Sequence, residues 1–314
     1  MTLLVAITGW QVEPWIDRFR RLLPERGIAV LGEPFDRRAV DYAVAWKHPP
    51  GSLAGLPNLG AVFSLGAGVD HLLSDPKLPD VPIARVVDSD LTNRMSEYVV
   101  MHCLMLLRQQ RRYADRQATR LWLDDKDQRA AADLRIGIMG MGVLGKDAAA
   151  KLRIMGFDVA GWSRSGADLD GVVGYAGAEN LPAFLARTDV LVVLLPLTPE
   201  TRGIVNGALL DGLARDGVLG GPALINAGRG GLQVEEEILD RLDRGSLKHA
   251  VLDVFNAEPL AADSRFWTHP GVTVTPHNAA MSDPDAIGRL VVRQIRRLEQ
   301  GLPLENAVDP RRGY

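Results

Sequence analysis

A glycine pattern that can bind a dinucleotide lies near the middle of the chain. Gly140, Gly142 and Gly145 form G-x-G-x-x-G directly after a short apolar strand predicted at residues 136–139, and a helix-like stretch follows at residues 146–155. In that setting the first glycine permits a tight turn, the second lets the backbone approach a pyrophosphate, and the third lets helix and strand pack closely. The N-terminus of the helix offers unpaired N–H groups to the anion. The pattern predicts a dinucleotide-binding loop, with an ordinary glycine-rich turn as the alternative.

Three ionisable side chains follow predicted strands in the second half of the chain. Arg229 comes after the run Ala-Leu-Ile-Asn-Ala-Gly, Glu258 after Val-Leu-Asp-Val-Phe-Asn-Ala, and His277 after Val-Thr-Val-Thr-Pro. Because the carboxyl ends of parallel strands form a ligand crevice, these strands could bring an arginine, a carboxylate and an imidazole together beside a bound nicotinamide. Each residue alone could instead be a loop charge, a surface acid or an internally bonded histidine, so the prediction depends on their joint placement.

Apolar strand-like runs alternate with amphipathic stretches along the whole chain, a pattern typical of βαβ units and parallel sheets. The predicted strands lie at 3–7, 29–31, 43–46, 61–65 and 83–87, and then at 136–139, 159–162, 190–195, 223–226, 250–254 and 272–275. A long helical region, roughly 93–117, separates the two sets, and a last helix is predicted at 285–300. The predicted fold is therefore α/β, with two Rossmann-like or flavodoxin-like doubly wound parallel-sheet domains and an active-site cleft between them.

The glycine pattern follows the first strand of the second set. Its position therefore identifies the second set of strands as the cofactor-binding domain and the first set as the substrate domain. We predict an NAD(P)-binding Rossmann domain at residues 95–281. Residues 1–94 should form most of the substrate domain, to which the C-terminal helix and tail, residues 282–314, return. The substrate domain is thus predicted to be discontinuous in sequence.

The composition is that of an ordinary soluble globular protein. Of its 314 residues, 46% are hydrophobic and 24% are charged, and the formal net charge is −3. This balance gives no sign of a nucleic-acid or membrane partner.

The single cysteine, Cys103, excludes an intramolecular disulfide and a cysteine-built metal site, so we expect no metal and a reducing, cytoplasmic location. The longest apolar run, residues 190–195, is too short to span a bilayer, and the N-terminus is interpreted as a strand rather than a signal peptide.

The chain resembles the D-isomer-specific 2-hydroxyacid dehydrogenases over nearly its full length. The similar segments are VFSLGAGVDH at 62–71, GIMGMGVLG at 137–145, LPLTPET at 195–201, NAGRG at 226–230, LDVFNAEPL at 252–260 and TPH at 275–277. Arg229, Glu258 and His277 keep the order and spacing of the family's catalytic set, 29 and then 19 residues apart. The tail, VDPRRGY at 308–314, is similar to the branch of the family that reduces glyoxylate and hydroxypyruvate.

This resemblance implies NADPH-dependent reduction of small 2-oxo acids, glyoxylate to glycolate and hydroxypyruvate to D-glycerate. His277 would be the general acid that protonates the carbonyl oxygen as hydride arrives from the nicotinamide. Glu258 would accept a hydrogen bond from the other ring nitrogen and stabilise the imidazolium near neutral pH. Arg229 would bind the substrate carboxylate through its planar guanidinium and help polarise the carbonyl.

The resemblance also implies substrate contacts from the first domain. Backbone N–H groups of Ala67, Gly68 and Val69 would meet the substrate carboxylate, and Trp46 and Trp122 are candidates to narrow the pocket. Two alternatives stay open. One is a reductase of another 2-oxo acid, such as phenylpyruvate or a branched-chain acid, and the other is a non-catalytic dinucleotide-sensing binding protein.

The residues after the second strand of the cofactor domain favour NADPH over NADH. An NAD site usually has Asp or Glu about 20 residues after the glycine pattern, whereas Ser163, Arg164 and Ser165 occupy this place and no carboxylate appears before Asp168. An arginine flanked by two hydroxyls suits a 2′-phosphate, although NADH stays possible. The resemblance adds the cofactor contacts Met141, Val143, Leu144, Pro196, Thr201, Ala227, Gly228, Asp253 and His277.

Residues 93–117 predict a helix that is apolar on more than one face. Such a helix must be buried somewhere, and in the family this helix crosses its symmetry mate. We therefore expect a homodimer through residues 93–117, with a small 2-oxo acid as the other binding partner.

Overall fold

Two parallel sheets organise the chain, one in each of two units. The computed structural model describes residues 1–123, 126, 128–166 and 168–313. One unit is made of Met1–Leu91 and Ser282–Tyr314, and the other of Thr92–Met281. The predicted α/β class with two parallel-sheet domains is confirmed.

The first unit is built on a five-stranded sheet. Its strands are β1 (Thr2–Ile7), β2 (Gly27–Val30), β3 (Val40–Trp46), β4 (Ala61–Ser64) and β5 (Ile83–Ala84), in the order β2-β1-β3-β4-β5. Its helices are α1 (Glu13–Leu22), α2 (Asp70–Leu73) and the C-terminal helix α9 (Pro284–Glu299). The side chain of Asp283 caps α9 by accepting the N–H of Asp285 at 3.0 Å. Arg18 of α1 forms an ion pair with Asp285, which holds α9 against α1.

The second unit is built on a seven-stranded sheet. Its strands are β6 (Arg135–Met139), β7 (Asp158–Ser163), β8 (Val173–Ala176), β9 (Val190–Val193), β10 (Ala223–Asn226), β11 (His249–Leu252) and β12 (Val272–Val274), in the order β12-β11-β10-β9-β6-β7-β8. The helices that precede and connect these strands are α3 (Ser89–Leu107), α4 (Gln110–Ala118), α5 (Val143–Ile154), α6 (Leu181–Ala186), α7 (Gly207–Asp211) and α8 (Glu235–Asp243).

Strand β9 shows why this sequence forms a central parallel strand. Leu191 and Val193 pack into the hydrophobic cluster on one face of the sheet, while Val190 and Val192 pack into the cluster on the other. All four side chains are fully buried. A short continuous apolar run buried on both faces is typical of parallel sheets covered by helices on both sides.

Three sequence-based expectations about elements are corrected. The helical region expected at 93–117 is two helices, because Gln109 between α3 and α4 has a left-handed backbone with φ +53°. The strand expected at 83–87 ends at Ala84, since the N–H groups of Arg85 and Val86 donate to Asn306 and Gly66 instead of continuing a ladder. Strand β8 was missed because it lies at the sheet edge, is partly exposed and contains no apolar run.

Three further properties bear on the expected class of protein. Within the described ranges, no helix is long and apolar enough to cross a membrane. The same ranges contain no group of His, Cys, Asp and Glu side chains arranged to hold a metal ion. Cys103 is a buried free thiol.

Candidate active site

The glycine loop between β6 and α5 has the geometry of a close-approach turn. Gly140 has φ +106°, a conformation that favours glycine, and its N–H donates to the carbonyl of Trp162 at 2.9 Å. A Cβ on Gly145 would lie 2.0 Å from the carbonyl oxygen of Gly140, whereas a Cβ on Gly142 would meet no atom within 4 Å. The turn and the packing therefore require Gly140 and Gly145, and the space at Gly142 is open to a ligand.

Helix α5 starts directly after this loop and directs its N-terminus to the same space. Its N-cap residue is Gly142, so no side chain caps the first N–H groups. A helix N-terminus of this kind attracts an anion through unpaired N–H groups and its partial positive charge. The loop and the helix together fit the pyrophosphate of a dinucleotide.

Other predicted cofactor contacts around this loop differ in exposure. Val143 is exposed and Leu144 is half-buried at the start of α5. Met141 is buried against Gly161, and Ala227 is buried with its N–H donated to the β9 carbonyl of Val193. Val143 and Leu144 are therefore open to a ligand, while Met141 and Ala227 shape the site through packing.

The residues after β7 form a tight turn with Arg164 at its exposed tip. The Ser163 hydroxyl donates to the carbonyl of Gly166 at 2.8 Å and closes the turn. Arg164 and Ser165 are exposed. A phosphate could meet Arg164 and Ser165 directly, whereas Ser163 would first have to break its bond to Gly166.

The loop after β9 lies close to Arg164. The pKa of Glu200 is lowered chiefly by its hydrogen bond with Thr198, with a smaller contribution from the charge of Arg164. The Thr201 hydroxyl donates to the Pro196 carbonyl at 2.7 Å and fixes this loop. Because β7 and β9 flank β6 in the sheet, Arg164 and this loop lie on either side of the glycine loop.

His277 and Glu258 form a hydrogen-bonded pair. His277 Nδ1 lies 2.8 Å from Glu258 Oε2, and both side chains are partly exposed, 34% and 24%. The other carboxylate oxygen, Oε1, accepts the N–H of Phe255 at 3.1 Å, which fixes the carboxylate. An ionised carboxylate only accepts hydrogen bonds, so Nδ1 carries a proton. Nε2 is then the ring nitrogen that can exchange a proton with a ligand.

Asp253 holds the turn that carries His277. The backbone of His277 is left-handed, φ +53°, and its N–H donates to the Asp253 carbonyl at 2.8 Å. Asp253 Oδ1 accepts the Thr275 hydroxyl at 2.6 Å and the N–H groups of Asn278 and Ala279 at 3.0 and 3.1 Å. Burial raises the pKa of Asp253, and these donors act in the opposite direction. The carboxylate predicted to touch the cofactor is thus buried and bonded to the turn.

Arg229 lies in the loop after β10, and the next residue of this loop, Gly230, packs against the loop that leads to Glu258. A Cβ on Gly230 would lie only 1.9 Å from the carbonyl oxygen of Phe255. Strands β10, β11 and β12 are neighbours in the sheet. The structure therefore brings Arg229, Glu258 and His277 to the same sheet edge, at the carboxyl ends of three adjacent strands.

In the first unit, the loop after β4 presents N–H groups at its own sheet edge. Ser64 braces this loop, because its hydroxyl oxygen accepts the Gly66 N–H at 3.2 Å and its hydroxyl donates to the Gly68 carbonyl at 3.3 Å. Among the residues that the structure describes, the N–H groups of Ala67, Gly68 and Val69 have no acceptor. Successive unpaired N–H groups of this kind can bind a carboxylate.

Trp46 packs against this loop. A Cβ on Gly66 would come within 2.3 Å of the Trp46 ring, so only glycine fits there. The Trp46 ring lies 4.5 Å from the ring of Trp10 and 4.8 Å from that of His71, measured between centroids. Aromatic packing thus fixes Trp46 as a wall beside the N–H groups of the loop.

Comparison with known proteins decides the family. A model of the NAD-binding domain of the D-isomer specific 2-hydroxyacid dehydrogenases matches residues 100–279. The chain belongs to this family. Glyoxylate/hydroxypyruvate reductase A of Escherichia fergusonii is 42% identical over 309 residues, which cover 96% of each chain. The resemblance that the sequence motifs indicate is therefore confirmed.

Two solved structures have the same fold as this dehydrogenase over its whole length. An NADPH-dependent glyoxylate/hydroxypyruvate reductase from Sinorhizobium meliloti, in complex with NADP and sulfate, is 52% identical with a TM-score of 0.93. A probable 2-hydroxyacid dehydrogenase from Rhizobium etli, in complex with NADP, HEPES and L(+)-tartaric acid, is 44% identical with a TM-score of 0.94. Each match covers 100% of this chain and 99% of the other.

Asn226 and Gln233 are positioning residues of this dehydrogenase that the sequence reasoning missed. Asn226 is fully buried, and its Nδ2 donates to the Arg229 carbonyl at 3.2 Å and to Gln233 Oε1 at 2.8 Å. Its Oδ1 accepts the Gly228 N–H at 3.1 Å. Gly228 was predicted to contact the cofactor, and its N–H is thus already hydrogen-bonded within the protein. Gln233 donates in turn to the Val254 carbonyl at 3.0 Å. The available signal was an asparagine that ends an otherwise apolar strand.

Proposed function

We propose that this dehydrogenase is an NADPH-dependent reductase of small 2-oxo acids, which converts glyoxylate to glycolate and hydroxypyruvate to D-glycerate. One observation carries the proposal: the 2.8 Å pair of His277 and Glu258 lies with Arg229 at the sheet edge that also bears the glycine loop. The relatives of this chain support the substrates and the cofactor, since the Sinorhizobium meliloti protein is an NADPH-dependent glyoxylate/hydroxypyruvate reductase.

The chemistry follows from the placement of these side chains. When bound, the reduced nicotinamide supplies a hydride to the carbonyl carbon of the 2-oxo acid. Protonated His277 moves the proton on Nε2 to the carbonyl oxygen, so a hydroxyl forms and a neutral imidazole remains. Glu258 accepts the Nδ1 hydrogen bond and stabilises the imidazolium before the transfer. Arg229 binds the substrate carboxylate and orients the carbonyl group.

We assign the first unit a part in substrate binding. The N–H groups of Ala67, Gly68 and Val69, which have no acceptor among the described residues, supply donors for a carboxylate. Trp46 beside them limits the size of the group that a substrate can carry next to its carbonyl. This wall favours small 2-oxo acids over phenylpyruvate.

The deciding experiment is NADPH oxidation by the purified protein with a panel of 2-oxo acids. The highest kcat/KM is expected for glyoxylate or hydroxypyruvate. A preference for phenylpyruvate or a branched-chain acid would overturn the substrate assignment. NADPH binding without turnover of any acid would favour a dinucleotide-sensing protein and overturn the catalytic proposal.

Arg164 is proposed to select NADPH by binding its 2′-phosphate. A charge-assisted hydrogen bond is worth about 1.5–3 kcal/mol, or roughly ten- to a hundredfold in affinity. Arg164→Ala should therefore lower kcat/KM for NADPH by about that factor and change the value for NADH little. The measurement is kcat/KM for both cofactors with glyoxylate as substrate.

Substitution of Ser163 tests cofactor preference in the opposite direction, toward NADH. Ser163→Asp should move the preference toward NADH, because a carboxylate repels the phosphate and accepts from the ribose hydroxyls. A wild-type protein that already prefers NADH, or an equal fall for both cofactors in Arg164→Ala, would contradict this account of the turn after β7.

We propose a homodimer that forms through α3 and the segment after α4. Met101 and Met105 of α3 are exposed, 47% and 37%, and Trp122 is 94% exposed beside the half-exposed Leu121 and Leu123. Apolar side chains that are exposed in such number mark an interaction surface. Light scattering at micromolar concentration should give the mass of a dimer.

A charge placed on this surface should separate the protomers. Met101→Glu is expected to shift the measured mass to that of a monomer, because it would desolvate a carboxylate in an apolar contact. Ile154→Glu is the matched control, since Ile154 of α5 is 82% exposed and lies outside the proposed surface. A wild-type monomer, or a dimer that Met101→Glu leaves intact, would contradict the proposal.

We propose a cytoplasmic location. The buried free thiol of Cys103 supports it, because unpaired cysteines suit a reducing compartment. Cell fractionation with an antibody against the chain would test it, and recovery outside the cytoplasmic fraction would contradict it.

A further inference from the structure

Arg85 is a half-buried cation that the mechanism above does not use. It directly follows β5, the strand next to β4 in the sheet. Ile83, two residues earlier, packs in the same hydrophobic cluster as Val69 and Leu72. The strand that Arg85 follows is therefore packed, through Ile83, in the cluster that contains the start of α2.

Within the described part of the chain, the guanidinium of Arg85 has no counter-charge. No ion pair or hydrogen bond joins it to any residue that the structure describes. Partial burial lowers its pKa, and no carboxylate among the described residues offsets that effect. Holding a partly desolvated cation without a partner is unfavourable, so an anion at this place would stabilise the structure.

Arg85 is joined to the loop that presents unpaired N–H groups. The N–H of Val86, the next residue, donates to the carbonyl of Gly66 at 3.1 Å. Gly66 opens the run whose following N–H groups, at Ala67, Gly68 and Val69, have no acceptor among the described residues. One edge of this sheet therefore carries both a set of N–H donors and an uncompensated cation.

We propose that Arg85 binds a second acidic group of the substrate, so that the substrate class of this dehydrogenase includes 2-oxo dicarboxylates. The inference rests on the proposed function, in which the N–H donors of the loop after β4 bind the carboxylate next to the carbonyl. A substrate with one carboxylate leaves Arg85 without a partner, whereas a dicarboxylate supplies a second charge for its guanidinium. A guanidinium suits this role because it can bind a carboxylate through two parallel hydrogen bonds.

The test compares three substrates that differ in charge or length. These are 2-oxobutanedioate, its neutral-ended analogue 2-oxopentanoate, and glyoxylate. The wild-type protein should favour 2-oxobutanedioate over 2-oxopentanoate by about tenfold or more in kcat/KM. Arg85→Gln should remove this preference by lowering the value for 2-oxobutanedioate about 10- to 100-fold, with a change of less than about threefold for glyoxylate. Arg85→Lys, which keeps the charge, should retain part of the preference.

Arg38→Gln is the matched control, because Arg38 is an exposed arginine of the same unit, and it should change none of the three values. The inference would be overturned if Arg85→Gln lowered kcat/KM equally for glyoxylate and 2-oxobutanedioate. It would also be overturned if the wild type did not prefer 2-oxobutanedioate over 2-oxopentanoate. If Arg85→Gln does not fold, Arg85→Lys and the wild-type preference still decide it. If no acid is reduced at all, the proposed function fails. Calorimetric titration of the NADP-loaded protein with tartronate, a dicarboxylate, and with glycolate, a monocarboxylate, then tests Arg85 separately. Tighter binding of tartronate than of glycolate to the wild type, lost in Arg85→Gln, would support the inference. Equal affinity of the wild type for the two acids would overturn it.

Discussion

Replacing His277 by alanine is expected to lower kcat with glyoxylate by about 10²-fold or more, the range for loss of a general acid. The reason is the 2.8 Å contact of Nδ1 with Glu258, which leaves Nε2 as the ring position for proton transfer. Steady-state kinetics with both glyoxylate and hydroxypyruvate measure the effect.

His269→Ala is the matched control for this prediction. His269 also pairs with a carboxylate, Asp243, at 3.5 Å, but in the segment that precedes β12 rather than after its carboxyl end. It should keep kcat close to the wild-type value. A His277→Ala protein that retains most of its turnover would remove His277 from the proton transfer, while leaving the family assignment unaffected.

Much of the fold was predictable because its signals are local. The glycine pattern specifies its own geometry, since Gly140 needs a left-handed φ and Gly145 needs the absence of a Cβ. The run Val190–Val193 reads as a strand because both faces are buried. By contrast, β8 is an edge strand with exposed residues, and no apolar period marks it.

The candidate site was predictable in its residue types but not in its support. Arg229, Glu258 and His277 could be selected from their positions after strands and from the family resemblance. The roles of Asn226 and Asp253 depend on bonds to residues far along the sequence or in other loops, which no local pattern reveals. That none of the described residues supplies a counter-charge to Arg85 is likewise a property of the folded chain.

Replacing Asp253 by alanine is expected to destabilise the second unit by roughly 2–4 kcal/mol, because the partly buried N–H of Asn278 and the buried N–H of Ala279 lose their acceptor. The left-handed backbone at His277 then loses its support. A shift of the imidazole by about 1 Å costs on the order of 10²-fold in rate, so kcat should fall as well. Denaturant unfolding and steady-state kinetics measure the two effects.

Asp253→Asn separates the hydrogen bonds of Asp253 from its charge. Oδ1 accepts all three donors, so an asparagine can keep these bonds and loses only the second contact of the Ala279 N–H, with Oδ2 at 3.1 Å. This variant should therefore retain far more activity than Asp253→Ala. Burial raises the pKa of the wild-type carboxyl above its ordinary value of 3.8. The folded state then binds the proton more tightly than the unfolded state, and the wild type loses stability as pH rises from about 3.8 through the raised pKa. Because Asp253→Asn cannot ionise, its free energy of unfolding relative to the wild type should increase over that pH range and become constant above it. A difference that does not vary with pH would show that Asp253 does not titrate with a raised pKa in the folded state.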